Sequence, residues 1–492
     1  MRYFDLAIVA LYLIGITIFG ARFRHGQRSL KDYFLGGRTA PWWAISLSIV
    51  SAETSTLTII GTPALSYGGN LGFLQIVFGY LLARVVISLL LLPHYFRGEM
   101  FTAYELMRRR FGERIRALTA GTFLVARALA EGVRVFAISL VISIVLDTGE
   151  IASIVLIVAL TLFYTFEGGM TAVIWTDVIQ MTLYVLGAIL SLVVILQKVP
   201  GGWAHVVAVA EPLGKFQIFD FRFAFTSEFF SRTYTFWAGI LGGCFLTTAS
   251  HGTDQLMVQR LLSARNEAES RKALLASWIV IFFQFSLFLG IGIILFVFYS
   301  DSHLAPPRPA DRIYPQFIWQ YLPTGAAGLI IAAILAAAMA NISAALNSLA
   351  STSVVDFIKP MMAARGVVLE ESRALRFARI ATLGWGVVLL GIGILARQWG
   401  SVLEAGLAIA SIPFGALLGV FLLGVLTKSV QENHAIVGLV TGLATMTFVR
   451  FGTSIAWTWY VLIGSCVTFG VGCLAAGLFR NHAAGGRDLK HE

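Results

Sequence analysis

Thirteen apolar runs follow one another along the chain, at about 4–22, 42–66, 72–96, 117–146, 150–167, 173–197, 233–250, 274–299, 324–352, 377–396, 402–426, 433–450 and 455–479. Each is long enough to carry a helix through most or all of a hydrocarbon layer about 30 Å thick. Such a chain has few options. In lipid every backbone N–H and C=O must be satisfied without water, so the runs must be helices. Composition agrees: 58% of the residues are hydrophobic and only 13% are charged, where a soluble chain would carry about a quarter. The expected class is an all-α polytopic membrane protein with about 13 transmembrane helices. The net charge of +10 then reports loop topology, not affinity for nucleic acid.

With the N-terminus outside, the segments on the inner side hold 24 of the 36 lysines and arginines and the outer segments hold 9. The bias predicts the N-terminus outside, the C-terminus cytoplasmic and a multi-pass protein of the cell's inner (plasma) membrane. The first run lacks a strong basic leader and a small-residue cleavage site before Arg22 and Arg24, so it reads as an uncleaved helix. Cys244, Cys466 and Cys473 all lie in apolar runs and suggest neither a disulfide framework nor a metal site. No GxSxG, HExxH or histidine-rich box occurs, and the eight histidines are scattered, which argues against a membrane-embedded enzyme.

The remaining basic residues, Arg84, Arg127 and Arg134, fall inside helices, as do Glu53, Glu131 and Asp177, with Glu404 near a helix start. Charges at that depth are costly and need a partner or a task. Arg127, Glu131 and Arg134 share one helical face at i, i+4 and i+7, so an Arg127–Glu131 pair is one reading. Arg84 is expected to snorkel or to bond freed carbonyls.

Several runs carry helix breakers. The second holds Ser51-Ala52-Glu53-Thr54-Ser55-Thr56 ahead of Gly61-Thr62-Pro63. The seventh holds Gly239, Gly242 and Gly243 before Thr247-Thr248-Ala249-Ser250-His251, and the eleventh has Pro413 and Gly415. Discontinuous helices place freed backbone groups around a cavity, and breaks five helices apart fit an inverted five-plus-five repeat. The uncharged stretch 325–351 gathers Ala333, Ala336, Ala337, Ala340, Ala344, Asn347, Ser348 and Ser351 on one face, edged by Asn341 and Ser343. Small-residue packing explains the alanines; the polar residues point to a solute or ion site near mid-membrane. The outer loop 198–232, with alternating aromatic residues, is expected to hold a short helix over the mouth, and the outer loop 300–322 to be ordered by Pro306, Pro307 and Pro309.

These stretches resemble the sodium:solute symporter family, which includes sodium/glucose, proline, sialic acid and iodide cotransporters. The resemblance rests on Asp32-Tyr33-Phe34-Leu35-Gly36-Gly37-Arg38, Ser51-Ala52-Glu53, Leu92-Pro93, Tyr104-Glu105-Leu106, Arg110-Phe111-Gly112, Glu167-Gly168-Gly169, Trp175-Thr176-Asp177-Val178-Ile179-Gln180, Gly252-Thr253-Asp254-Gln255, Gln259-Arg260, and 336–348 followed by Asp356. It implies a LeuT-type fold: an extra N-terminal helix and cytoplasmic loop at 1–41, a ten-helix core at 42–426, and two C-terminal helices with a short tail at 427–492.

The resemblance also implies sodium-driven symport of a small organic solute by alternating access, with a proton-coupled carrier, an uncoupled carrier or a channel as the alternative. Carried over position by position, the sodium site takes carbonyls of Leu47, Val50 and Ala337, and a pair that in the family is usually two hydroxyls but here is Ala340 and Asn341. Sodium needs several hard oxygens, and Ala340 offers none from its side chain (compare). A second cation site implied by the resemblance uses Asp177 and Ser343; Asp177 could equally carry a proton or pair with an intramembrane arginine. Substrate contacts are expected from Ser48, Glu53, Thr54, Thr56, Arg127, Thr247, Ser250 and His251. Arg127 falls where carboxylate-binding members carry an arginine, and Ser250 where sugar-transporting members carry a gating aromatic. A carboxylate or amino acid is therefore favoured over a sugar. The expected partners are the solute and the lipid bilayer, with no obligate protein partner evident.

Overall fold

The computed structural model describes residues 2–22, 35–97, 103–164, 170–367 and 371–488. The motif residues Asp32-Tyr33-Phe34 and Glu167-Gly168-Gly169 lie outside these, as do Arg24, Arg28, Lys31 and Lys490 of the charge count. Among the described residues every element is helical.

The longer helices, in chain order, are α1 (Tyr3–Ala21), α2 (Trp42–Glu53), α3 (Thr56–Gly68), α4 (Leu74–Tyr95), α5 (Glu113–Leu146), α6 (Glu150–Tyr164), α7 (Met170–Lys198), α8 (Gly202–Ala210), α9 (Gly243–Gly252), α10 (Gln255–Leu262), α11 (Glu267–Asp301), α12 (Ile313–Tyr321), α13 (Ala326–Thr352), α14 (Glu371–Ala396), α15 (Val402–Leu426), α16 (Glu432–Gly452) and α17 (Tyr460–Asp488). Among the described residues eight are long and apolar enough to cross a membrane on their own, nine if α2 and α3 form one span, against about thirteen expected; Tyr3–Ile16, Glu150–Leu162 and Ile380–Ala396 are shorter apolar helices.

The second run breaks where its polar residues predict. α2 and α3 meet at 63°, across Thr54 and an extended Ser55. Short hydroxyl and carboxylate side chains compete for backbone groups, which weakens the helix at this point. Pro63 does not make the break; it lies inside α3. In the seventh run Gly239 and Gly242 belong to a π-turn, Ala238–Gly242, that leads into α9. The break comes later, at Thr253 and an extended Asp254 between α9 and α10. The eleventh run is not broken: α15 continues through Pro413.

Glycines let the broken helices approach their neighbours. A Cβ on Gly79 of α4 would lie 2.6 Å from the carbonyl oxygen of Gly239, so α4 and the π-turn pack backbone to backbone. α13, the small-residue helix, is buried on both faces: Ala333, Ala336 and Ala337 on one, Ile342, Leu346 and Leu349 on the other. A helix buried all round belongs to the core. It packs against α5, α7, α14 and the extra helix α1. The Asp5 carboxylate of α1 accepts from the backbone N–H of Gly325 at 2.7 Å and of Gly328 at 2.9 Å, so it satisfies orphan donors at the start of α13.

The loops 198–232 and 300–322 differ from expectation in one respect. Segment 198–232 does hold helices, α8 and the short Ser227–Ser231, but its aromatic stretch is irregular and packs beside the π-turn, on Phe78, Phe236 and Trp237. Segment 300–322 forms a 3-10 turn, Ala310–Arg312, and α12.

Candidate functional site

A cavity of about 130 Å³ lies where the two breaks face each other. Glu53, Ser55 and Thr58 come from the first break, Thr247, Ser250, His251 and Asp254 from the second. Arg127 and Arg134 reach it from α5, Phe73 and Tyr80 from α4, Phe285 from α11, and Leu403, Leu407 and Phe414 from α15. Its walls are mostly apolar, and its polar groups are concentrated at the breaks.

Each break presents a carboxylate, and each carboxylate meets a guanidinium from a neighbouring helix. Arg84 Nη2 donates to Glu53 Oε2 at 2.6 Å, and Arg84 also donates to Ser277 Oγ at 3.0 Å and the Tyr80 carbonyl at 3.3 Å. Arg84 therefore does not snorkel. It does bond a carbonyl as expected, but its main task is to neutralise Glu53. His251 Nε2 stands 3.3 Å from the same carboxylate oxygen, and its Nδ1 is 2.9 Å from Ser250 Oγ.

At the second break Asp254 caps α10 by accepting from Leu256 N–H at 2.9 Å, and its other oxygen accepts from Arg127. The Arg127–Glu131 pair exists but is long, 3.6 Å. Glu131 is held more closely by Arg134, at 2.9 Å. The charges alternate along one line: Asp254, Arg127, Glu131, Arg134. One buried oxygen of Glu131 and the Nε of Arg134 have no hydrogen-bond partner.

Of the expected substrate contacts, Glu53, Arg127, Thr247, Ser250 and His251 line the cavity. Ser48 and Thr54 face elsewhere. Ser48 Oγ donates to Asp177 Oδ2 at 2.6 Å, and Thr54 Oγ1 accepts from Gln284 Nε2 at 2.7 Å. Thr56 is buried in the first turn of α3. Sequence reasoning did not assign a role to Asp254, Arg134, Tyr80 or Phe73. Asp254 carried a readable signal, an acid directly after Gly252-Thr253.

Asp177, on α7, lies in a second buried cluster. Its Oδ2 receives both Ser48 and Arg260 Nη2, the latter at 3.1 Å; Arg260 Nε donates to Ser48 Oγ at 3.0 Å and Nη1 to the Leu256 carbonyl at 2.9 Å. Asp177 thus pairs with Arg260, a residue that the charge count places in an inner segment and not among the arginines inside helices. Leu47 and Val50 lie on α2, and Ala337, Ala340, Asn341 and Ser343 on α13; α7 packs against both helices. Val50, Ala337, Asn341 and Ser343 are buried.

Above the cavity, Phe73 stacks on Phe285 with ring centroids 5.0 Å apart. Tyr234 packs beside Phe73 and donates to Glu404 Oε1 at 2.5 Å, tying the segment before the π-turn to the start of α15.

The sodium:solute symporter family model matches residues 33–442. The human sodium/iodide cotransporter is 30% identical over 463 residues, covering 92% of this chain and 70% of that one. The sodium/sialic acid symporter of Aliivibrio fischeri is 28% identical over 478 residues, covering 96% and 92%. The sodium-coupled monocarboxylate transporter 1 of Xenopus laevis is 26% identical over 459 residues, covering 92% and 72%. Among solved structures, a Na+-coupled sialic acid symporter in a substrate-bound, outward-open state superposes with a TM-score of 0.83 at 27% identity, covering 96% of this chain and 98% of that one. The fold is thus the LeuT-type arrangement, and the bent pair α2 and α3 in the second run is a broken span within it. The chain belongs to the sodium:solute symporter family and is a membrane transporter that couples sodium to the movement of a small solute, not an enzyme.

Proposed function

We propose that this transporter carries a small organic anion, a monocarboxylate of about six heavy atoms, through the cavity at the two breaks. The observation that carries the reading is the balance of charge there. Glu53, Glu131 and Asp254 are met by Arg84, Arg127 and Arg134, so the site is near neutral, and the Nε of Arg134 has no partner among the described residues. A carboxylate can displace part of the Glu131–Arg134 contact and take up guanidinium donors in the planar, two-bond geometry that suits it. The apolar walls then suit a short hydrocarbon body. A cavity of about 130 Å³ is close to the size that admits benzene in an engineered protein core of about 150 Å³. The relatives point the same way, because iodide, sialic acid and monocarboxylates are all anions or acids.

In this reading the ten-helix core is 42–426. Sodium is held by carbonyls of Leu47, Val50 and Ala337 and by the amide oxygen of Asn341, while Ala340 contributes only space. Asp177 and Ser343 do not form a second sodium site, because Arg260 already supplies a positive charge at Asp177. Ser48 and Thr54 act beside the cavity, as supports of the first break. The N-terminus faces outward and the C-terminus the cytoplasm, in the plasma membrane, as the basic-residue bias supports.

The test is uptake into proteoliposomes of labelled propionate, lactate, sialic acid and iodide under sodium, potassium and proton gradients. Sodium-driven accumulation of the short monocarboxylates supports the reading. Accumulation of sialic acid or iodide alone overturns the substrate class, and accumulation under a proton gradient alone overturns the sodium assignment.

A further inference from the structure

We infer that the segment 217–226 is a lipid-interface anchor: it lays Phe219, Phe221, Phe223 and Phe225 into the outer edge of the same bilayer that the helices cross. Residues 219–225 read Phe-Asp-Phe-Arg-Phe-Ala-Phe. The segment is irregular, without helix or strand, and bends at 225–226; the ring contacts Phe219–Phe221 and Phe223–Phe225, each two residues apart, put the rings of each pair side by side. Asp220 and Arg222 alternate with them in sequence, bonded to each other at 2.6 and 2.7 Å.

The rings are not hidden by the protein. Phe221 is 61% exposed, Phe223 55% and Phe225 84%. A row of this kind facing water would forgo a large hydrophobic gain. The backbone holds the rings in place: Asp220 N–H donates to Gln75 Oε1 at 3.0 Å, and Phe236 N–H donates to the Asp220 carbonyl at 2.8 Å.

The occupant follows from continuity and depth. Phe223 contacts Phe225 and Trp237, Phe221 contacts Phe219 and Phe236, and Phe219 stacks on Phe78 of α4 with centroids 5.8 Å apart. Phe78 contacts Phe282 of α11, which contacts the exposed Phe283. The aromatic row therefore runs without interruption onto the outer surface of a membrane-crossing helix.

Depth can be counted from the central ion pairs. At 1.5 Å per helical residue, Phe78 lies about 9 Å outward of Arg84, and Trp237 lies about 21 Å outward of His251. The hydrocarbon half-thickness is about 15 Å. The row thus crosses the boundary between acyl chains and headgroups, the level at which aromatic residues gather. The Asp220–Arg222 edge faces the headgroups and water. Because Gln75 and the residues before the π-turn hold the segment, its grip on lipid also steadies the outer end of α9.

The test uses the full chain with Cys244, Cys466 and Cys473 replaced by alanine and a nitroxide placed singly at 221, 222 or 223. The protein is reconstituted in phosphatidylcholine–phosphatidylglycerol vesicles. The expected result is a ratio of oxygen to nickel-chelate collision rates several-fold higher at 221 and 223 than at 222. High nickel access at all three positions overturns the inference. So does dipolar broadening at 221 and 223 that vanishes on dilution with unlabelled protein, which would make the occupant a second copy. An acyl-chain photoprobe on the unaltered chain gives an independent reading: labelling within 216–232 is expected, and its absence overturns the inference whatever the cysteine-free protein does.

Discussion

Arg260 and Asp177 form a buried ion pair, with Nη2 3.1 Å from Oδ2 and both residues bridged by the hydroxyl of Ser48. It joins α7 to the segment after the second break and, through Ser48, to the helix before the first. Removing one partner of such a pair leaves the other charged and unsatisfied, at a cost of about 3–5 kcal/mol. Asp177→Asn is therefore expected to lower the melting temperature of the detergent-solubilised protein strongly. Asp177→Asn combined with Arg260→Gln should recover part of the loss. Sodium activation of the wild type should follow a Hill coefficient near one. A stable Asp177→Asn protein with greatly weakened sodium activation would instead make Asp177 a sodium ligand.

Asn341 is the position where the proposed sodium site must be rebuilt, since Ala340 beside it has no side-chain oxygen. Asn341→Ala should raise the sodium concentration for half-maximal uptake by tenfold or more, which corresponds to about 1.4 kcal/mol or more, while the apparent affinity at saturating sodium changes little. Asn341→Ser, which restores a hydroxyl, should lie between the two. Unchanged sodium activation in the alanine protein would place the ion elsewhere.

Arg127 and Arg134 separate the two guanidinium roles. Arg127 is committed to Asp254 and, more loosely, to Glu131, so Arg127→Gln should lose stability and transport together. Arg134 has one close partner and a free Nε. Arg134→Gln should cost less thermal stability than Arg127→Gln, because Arg127 still faces Glu131, and should raise the apparent KM for a monocarboxylate tenfold or more. If KM for the carboxylate stays unaltered in Arg134→Gln, the guanidinium is structural and the substrate is recognised by other groups.

The outline of the fold was legible because it follows from local rules. Apolar length gave the all-helical membrane class but not the count, since eight or nine helices among the described residues are long and apolar enough to cross where thirteen were expected, and the polar run 51–56 gave the first break at the residues where it occurs. The small-residue helix α13 was legible as a core helix because a face of alanine and serine gains nothing from lipid. The second break was placed too early, because the glycines at 239, 242 and 243 look like breakers but serve close packing against Gly79. The ion pairs were mostly illegible. Arg84 meets Glu53 across 31 positions, Asp177 meets Arg260 across 83, and Arg127 meets Asp254 across 127. The spacing i, i+4 shows Arg127 and Glu131 as neighbours, but no local rule reveals a tighter partner on another helix. Ser48 was likewise placed by its helix rather than by its direction, and it turns to Asp177 instead of the cavity.

Gly328 offers a packing test away from the cavity. A Cβ there would lie 2.7 Å from the Cα of Asp5, so the start of α13 can approach α1 only with glycine. Gly328→Val should force α1 outward and loosen the Asp5 bonds to the backbone of 325 and 328. The expected result is a fall in melting temperature together with faster hydrogen exchange at 325–328. Wild-type exchange there would mean that α1 merely rests against the core and does not hold the start of α13.

Asp311 is expected to make the loop 300–322 sensitive to pH. Burial, helped by the nearby charge of Glu404, pushes its carboxyl up to about 6, against the favourable bond from Val402 N–H. A carboxyl whose value is raised on docking binds its proton more tightly docked than released. Docking of the 3-10 turn on α15 is therefore firmest at acid pH and weakens as pH rises from about 4 through about 6, then stays level. A shift of about two units corresponds to somewhat under 3 kcal/mol across that window. Asp311→Asn keeps an acceptor for Val402 but cannot ionise, so it should hold the loop docked at neutral pH and remove the dependence. Hydrogen exchange of the 310–321 segment, corrected for intrinsic rates, should be slower at pH 5 than at pH 7 in the wild type and equal at both in Asp311→Asn. Equal protection at the two pH values in the wild type would mean that Asp311 is ionised in the docked loop and that the latch depends on other contacts.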